Sequence, residues 1–269
     1  MFSYSDINYE VMTDTKRQYE SLDQLRAAIN HSINNQFMVA HGTDISQPVA
    51  VNSNTKYIVS GKRSFEAAKA YAKEKKVAVL NFANNHHIGG APYSAGAQEE
   101  SLCRCSTLLP CLEAMNDVFY QKHRRMYEAH QIDFLGNDDL IYTPGVVVFK
   151  TDERTDPIKP VMMPQEEWYR VNVITCAAPQ IGDHHLPKYY EELITSRIKK
   201  ILDVAAKEKN EVLILGAWGC GAFRNPSDIV ARVFFSLLRN YNFEVVEFAL
   251  SSNHDVSDSV FARLCPNAP

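Results

Sequence analysis

Two adjacent carboxylates, Glu99 and Glu100, close a glycine-rich stretch at residues 81–100, NFANNHHIGGAPYSAGAQEE, and they are the first groups in the chain placed to do chemistry. Gly89, Gly90 and Gly96 fall within eight residues of one another. Glycines in such a run allow backbone angles that side chains forbid and leave N–H groups open to a close ligand. Gln98 precedes the two glutamates, and a helical pattern follows them, with Leu102, Cys105, Leu109 and Leu112 on one face. Acidic and polar groups beside bare backbone suit a phosphorylated or sugar-like ligand with an acid–base residue at its edge. Neighbouring positions on a helix point about 100° apart, so Glu99 and Glu100 cannot flank a scissile bond as the paired carboxylates of most glycosidases do. One acts and the other positions. A helix start favours the ionised carboxylate, so an acid role requires burial or hydrogen bonding that raises its pKa. The same tripeptide recurs at Gln165, Glu166 and Glu167 with no glycine loop before it, and there it reads as solvated surface charge.

A second glycine stretch, GAWGCGAFRNP at residues 216–226, also leaves a strand and enters a helix. Open α/β sheets place ligands at such strand ends. Asn225 as N-cap and Pro226 in the first turn would begin the helix, whose N–H groups and dipole attract an anion such as a diphosphate. Phe223 is expected to stack on a base or ribose, while Trp218 stays open between core and ligand. Glycines can serve tight turns alone, but two such loops in one chain favour a ligand. The dinucleotide fingerprint is absent from both. Gly61-Lys62-Arg63-Ser64 resembles the end of a P-loop, yet Lys56 stands where that motif needs glycine and Arg63 where it needs Ser or Thr. His86-His87 and His184-His185 are adjacent pairs that point to opposite faces in extended chain, so no metal is expected. Cys103, Cys105 and Cys220 read as packing thiols.

The elements that must hold these loops are short apolar strands at residues 49–51, 77–80, 146–149, 171–176, 212–215 and 243–250. Helical patterns lie between them. One spans 64–75 with Ser64 as N-cap, one follows the first glycine loop, and others span 189–206 and 226–239. Strands alternating with helices predict an α/β fold with helices on both faces of the sheet. Residues 1–48, with Leu22, Leu25, Ala28 and Ile29 at helical spacing, read as an N-terminal helical cover, and the proline- and charge-rich residues 151–168 as an excursion from the core. A chain of 269 residues with 45% hydrophobic and 22% charged residues suits one large globular domain. A net charge of -4 supplies no basic footprint for a nucleic-acid backbone. No apolar run nears the roughly 20 residues of a membrane span, and the N-terminus lacks a signal-peptide pattern, so a soluble cytoplasmic protein is expected. Six cysteines without a Cys-x-x-Cys pair speak for reduced thiols.

With both loops read, the chain resembles the bacterial-type poly(ADP-ribose) glycohydrolases of the macrodomain superfamily. The resemblance rests on NFANNHHIGGAPYSAGAQEESLCRCSTL, IYTPGVVVFK at residues 141–150, VITCAAP at 173–179 and LGAWGCGAFRNP at 215–226, in that order and spacing. It implies a three-layer α/β/α macrodomain with a central mixed sheet, a catalytic domain over residues 49–269 and a helical extension over 1–48. It implies ADP-ribose in the crevice between the two glycine loops, with no metal and no cofactor. Glu100 would be the general acid–base residue and Glu99 would hold the distal ribose hydroxyls. The Gly89 to Gly90 backbone would sit under the distal ribose and diphosphate, with Asn81, Ala91 and Gln98 also binding substrate; Gly219, Cys220, Gly221 and Ala222 would cradle the diphosphate; Phe223 would pack on the distal ribose. Adenine would lie near Asn54. Three positions differ from the family pattern: Ala91 replaces a third glycine, Ile88 a proline, and Asn54 an aspartate. The expected partner is ADP-ribose or its polymer on modified proteins, met by a monomer without membrane or duplex nucleic acid. Three activities stay open: cleavage of the ribose–ribose bond of poly(ADP-ribose), hydrolysis of mono-ADP-ribosyl linkages on protein or nucleic acid, and ADP-ribose binding without turnover.

Overall fold

Runs such as VAVLNF and VLIL are apolar almost throughout, which suits strands covered on both faces. The computed structural model describes residues 3–46, 54–152, 159–251 and 259–266. Its strands are β1 (Phe37–Val39), β2 (Lys56–Ser60), β3 (Val77–Phe82), β4 (Leu140–Val148), β5 (Tyr169–Cys176), β6 (Val212–Leu215) and β7 (Val245–Ala249). They form one sheet in the order β1-β4-β5-β3-β6-β7-β2. The five strands from β5 to β2 run parallel, while β4 opposes β5 and β1 opposes β4. The sheet is therefore mixed.

Strand alternation sorts the core into two layers. Ala78, Leu80, Ile174, Leu213, Leu215, Val246 and Phe248 point to one side, against α7 (Tyr190–Lys207), α8 (Ser227–Leu238) and α9 (Val260–Leu264). Val77, Val79, Val171, Val173, Val212 and Ile214 point to the other. There they meet side chains of α1 (Tyr4–Ser21), α2 (Asp23–Asn35), α3 (Ser64–Lys69), α4 (Gln98–Cys105) and α5 (Leu108–Ala114). This is the three-layer arrangement the sequence predicts. The N-terminal segment goes beyond a cover, because β1 pairs with β4 and extends the sheet. No helix among the described residues is long and apolar enough to cross a membrane.

Local differences from the sequence reading have physical causes. The helix expected after the first glycine loop is two, α4 and α5, broken at Ser106 and Thr107. Pro110 in a continuous helix would lack an N–H and clash with the carbonyl of Ser106, and the break lets Ser106 bridge to Val148 instead. The helix of residues 64–75 stops at Lys69, and its N-cap is Arg63 rather than Ser64. Likewise α8 begins after Pro226, which has no capping side chain, because Asn225 is engaged elsewhere. The polar stretch before Asp139 holds a π-helical turn, Asn116–Tyr120, and α6 (Gln121–Glu128). The strand expected at residues 49–51 lies outside the described residues. β2 is the edge strand of the sheet opposite β1, and Asn54 precedes it.

Candidate active site

The parallel strands end on one edge of the sheet, and the loops leaving them meet there. They enclose a crevice of about 700 Å³, within the usual range for a small-molecule site. The loop after β3 supplies Ala83, Asn84 and Gly90, and the start of α4 supplies Gln98, Glu99, Glu100 and Ser101. Gln98 fixes the entry to α4. Its Oε1 accepts from the Phe82 N–H at 2.9 Å, and its Nε2 donates to Leu80 O at 2.8 Å and Ser64 Oγ at 3.0 Å.

The two glutamates diverge, as their adjacency requires. Glu99 is buried, its oxygens accepting from Asn81 Nδ2 at 3.1 Å and from the Asn84 N–H at 2.9 Å. Burial pushes its carboxyl up to about 8 from the ordinary 4.5, while those two donors pull it back. Glu100 faces the glycine loop: Oε1 accepts from the Ala91 N–H at 3.1 Å, and Oε2 is buried with no partner among the described residues. Gly90 makes this approach possible. It has φ of +69°, and a Cβ built on it would lie 2.3 Å from Glu100 Oε1.

The second loop is folded by contacts behind it. Trp218 is fully buried, donating from Nε1 to Cys176 O at 2.9 Å, which resolves it as core. Gly219 has φ of +74°, where a Cβ would meet Ala178 at 2.4 Å and Asn225 Nδ2 at 2.6 Å. Asn225 ties the loop rather than capping α8: its Nδ2 donates to Pro179 O and Gly219 O, and its Oδ1 accepts from Tyr190 OH. Gly219, Gly221, Ala222 and Phe223 all line the crevice. Among the described residues, the N–H groups of Gly221, Ala222 and Phe223 have no protein acceptor. Such an array of unpaired donors suits an anion.

The structure thus brings Gln98, Glu99, Glu100, Gly90, Gly219, Gly221, Ala222 and Phe223 to one crevice. Others of the expected set stand behind or beside it. Asn81 is fully buried under Glu99 and serves it as donor. A Cβ at Gly89 would strike Cys103 and Leu109, so that residue packs inward. Ala91 contributes its backbone N–H, its methyl is outside the crevice lining, and its φ is not positive, so alanine costs nothing there. Cys220 also lies off the lining, with its N–H bonded to Ala217 O at 3.1 Å. Asn54 is a correction. It is exposed at the N-terminal end of β2, the opposite edge from the crevice, because the strand it was read as ending actually follows it.

Sequence reasoning missed one wall. Arg63 and Asp152 line the crevice, with Arg63 Nε 2.8 Å from Asp152 Oδ1. Asp152 also accepts from Ser101 Oγ at 2.8 Å and from the Phe65 N–H at 3.1 Å. Arg63 sat in the rejected P-loop fragment and Asp152 at the start of the supposed excursion. Val260 and Phe261 of α9 close the far end. No group of three or more His, Cys, Asp or Glu side chains among the described residues could hold a metal ion. His184 instead stacks on Phe134, and His86 leans on Tyr127.

Sheet, paired glycine loops and a crevice at the strand ends, where Glu100 Oε2 has no partner among the described residues, define a macrodomain-like α/β/α protein. Residues 9–151 match the family described as microbial-type PARG, catalytic domain, and the chain belongs to that family. It is similar to the poly(ADP-ribose) glycohydrolase of Thermomonospora curvata solved with the inhibitor ADP-HPD, at 29% identity, TM-score 0.77, and coverage of 95% of this chain and 98% of that one. It is also similar to the Deinococcus radiodurans poly(ADP-ribose) glycohydrolase solved with ADP-ribose, at 30% identity, TM-score 0.74, and coverage of 88% and 96%. No curated protein matches the chain in sequence.

Proposed function

We propose that this chain is a poly(ADP-ribose) glycohydrolase that binds a terminal ADP-ribose unit in the crevice and hydrolyses its ribose–ribose bond. The observation that carries the reading is Glu100: one oxygen held by the Ala91 N–H, the other partner-free in the wall of the crevice. That free oxygen protonates the departing ribose oxygen and then takes a proton from the attacking water, as one positioned carboxylate can do in turn. Glu99, fixed by Asn81 and Asn84, holds the distal ribose hydroxyls. The N–H groups of Gly221, Ala222 and Phe223 receive the diphosphate, whose charge also steadies the cationic ribose centre. The polymer is met on modified proteins. A reader without turnover would gain nothing from a carboxylate oxygen left without a partner beside a dianionic ligand, so Glu100 favours hydrolysis.

The test is release of ADP-ribose from poly(ADP-ribose) by wild type and Glu100→Gln, with ADP-ribose affinity measured by calorimetry. The variant is expected to lose at least about 100-fold in turnover, the usual contribution of a general acid–base residue, and to bind ADP-ribose as wild type does. Equal turnover by the two proteins would sink the assignment of Glu100.

A further inference from the structure

The crevice accounts for one ADP-ribose unit, but beside it lies a second cavity of about 630 Å³ that the reaction above leaves unused. Tyr127, Gln131, Phe134 and Asn137 are among its walls. Each aromatic ring rests against a histidine. His184 stacks on Phe134 with ring centroids 4.0 Å apart and planes 17° apart, and His86 leans on Tyr127 at 5.4 Å. The buried Asn137 amide is oriented by its Oδ1, which accepts from the Asp139 N–H at 3.1 Å and lies 2.8 Å from His123 Nε2. Its Nδ2 is left with no partner among the described residues. Buried donors are normally satisfied, so this one favours a ligand acceptor.

Close contacts join this cavity to the Glu99 and Phe223 end of the crevice from two sides. Gly136, in the cavity wall, packs so closely on Asn85 that a Cβ would lie 2.8 Å from its Nδ2. The preceding residue, Asn84, lines the crevice and holds Glu99. On the other side Phe134 O accepts from the Gln180 N–H at 3.2 Å, and the next two N–H groups, of Ile181 and Gly182, donate to Phe223 O. The cavity therefore flanks the glutamate and Phe223 end, where the scissile bond sits.

Poly(ADP-ribose) continues from that bond into the adenosine ribose of the next unit, whose base lies one sugar ring beyond the leaving oxygen. Aromatic faces that can stack on a purine, with amide groups of Gln131 and Asn137 for its edge, match that base. We propose that this cavity is a leaving-group subsite that takes the adenine of the next ADP-ribosyl unit. The proposal rests on the glycohydrolase reading.

Calorimetry on Glu100→Gln protein with ADP-ribose and with its ribose–ribose-linked dimer tests it without turnover. The dimer is expected to bind about tenfold more tightly, the scale of one base stacked on an aromatic side chain. Adding Tyr127→Ala, Phe134→Ala or His184→Ala should shrink that advantage and leave the affinity for ADP-ribose alone unchanged. Tyr127 and His184 are exposed, so these two variants report even where Phe134→Ala folds poorly. Equal affinity for dimer and monomer, or a dimer advantage that survives all three substitutions, overturns the subsite and leaves the crevice assignment standing. Failure of ADP-ribose itself to bind overturns the glycohydrolase reading and the subsite with it.

Discussion

At Gly90 a single methyl group would occupy the space that the Glu100 carboxylate needs. Its Cβ would fall 2.3 Å from Oε1 and 2.9 Å from the carboxyl carbon, and a positive φ adds strain. Gly90→Ala is therefore expected to displace the carboxylate and cut turnover by about 100-fold, the cost of roughly 1 Å of misplacement at a reacting group. Steady-state assay on the polymer checks this, and near wild-type turnover would mean that Glu100 does not act from this position. Glu99 makes a separate prediction about stability and pH. Its folded pKa, raised by burial to about 8, exceeds the ordinary 4.5, so the folded state holds the proton more tightly than the unfolded chain. Its contribution is full below pH 4.5 and is lost as pH rises through 8. Thermal midpoints measured from pH 5 to 9 should fall more for wild type than for Glu99→Gln, and parallel curves would contradict the buried, proton-holding carboxyl. Both glutamates were legible because they stand at the end of a glycine run beside a strand. Arg63 and Asp152 were not, since 89 positions separate them and only the fold brings the guanidinium to the carboxylate.

Among the elements, the strands were the easiest to read and the capping positions the hardest. Val77, Val79, Leu213 and Ile214 are apolar because both sheet faces are covered, and a run of such residues announces itself. The break between α4 and α5 was hidden by an uninterrupted hydrophobic face, although Pro110 marked where a helix could not continue. The edge strand β2 escaped notice because its residues are half-exposed and lack a clear period. That error carried Asn54 to the wrong end of the sheet. One contact made by α1 was beyond any sequence argument, since Asn8 Nδ2 donates to Ser94 O at 3.0 Å and Ala95 O at 3.2 Å, across more than 80 positions. It ties α1 to the loop that carries Gly90 and leads into Glu100. Asn8→Ala is expected to cost about 1 kcal/mol of stability, the usual net worth of such a bond, and to slow turnover several-fold by loosening the loop. Denaturant unfolding alongside the polymer assay measures both, and lost stability with unchanged turnover would confine α1 to a structural part.

For the molecule as a whole, the question is whether residues 1–48 form a cover on a self-sufficient body or part of that body. We favour the second. Val11, Met12 and Tyr19 of α1 are buried, and β1 supplies an outer strand of the sheet. A charge also depends on this packing: the Lys150 ammonium, its side chain only 2% exposed, pairs with Asp14 at 2.7 Å and donates to Val11 O at 3.1 Å. Burial pushes the Lys150 pKa down, and the bond to Asp14 opposes that shift. Removing residues 1–21 would uncover the apolar layer and take both partners from Lys150 at once. An ammonium stripped of its partners costs about 3–5 kcal/mol where it stays buried, which is a large share of the stability of most domains. The shortened chain is therefore expected to unfold at a markedly lower temperature, or not to fold. Asp14→Ala, which leaves the apolar contacts and the Val11 carbonyl in place, should lower the midpoint by less. Calorimetric unfolding of the three proteins separates the contributions of charge and apolar contact. A shortened chain that keeps the wild-type midpoint and its turnover would show the helical segment to be dispensable, with the catalytic body beginning after it. A single cooperative transition in the full chain, lost on shortening, would place the N-terminal helix inside the unit that folds.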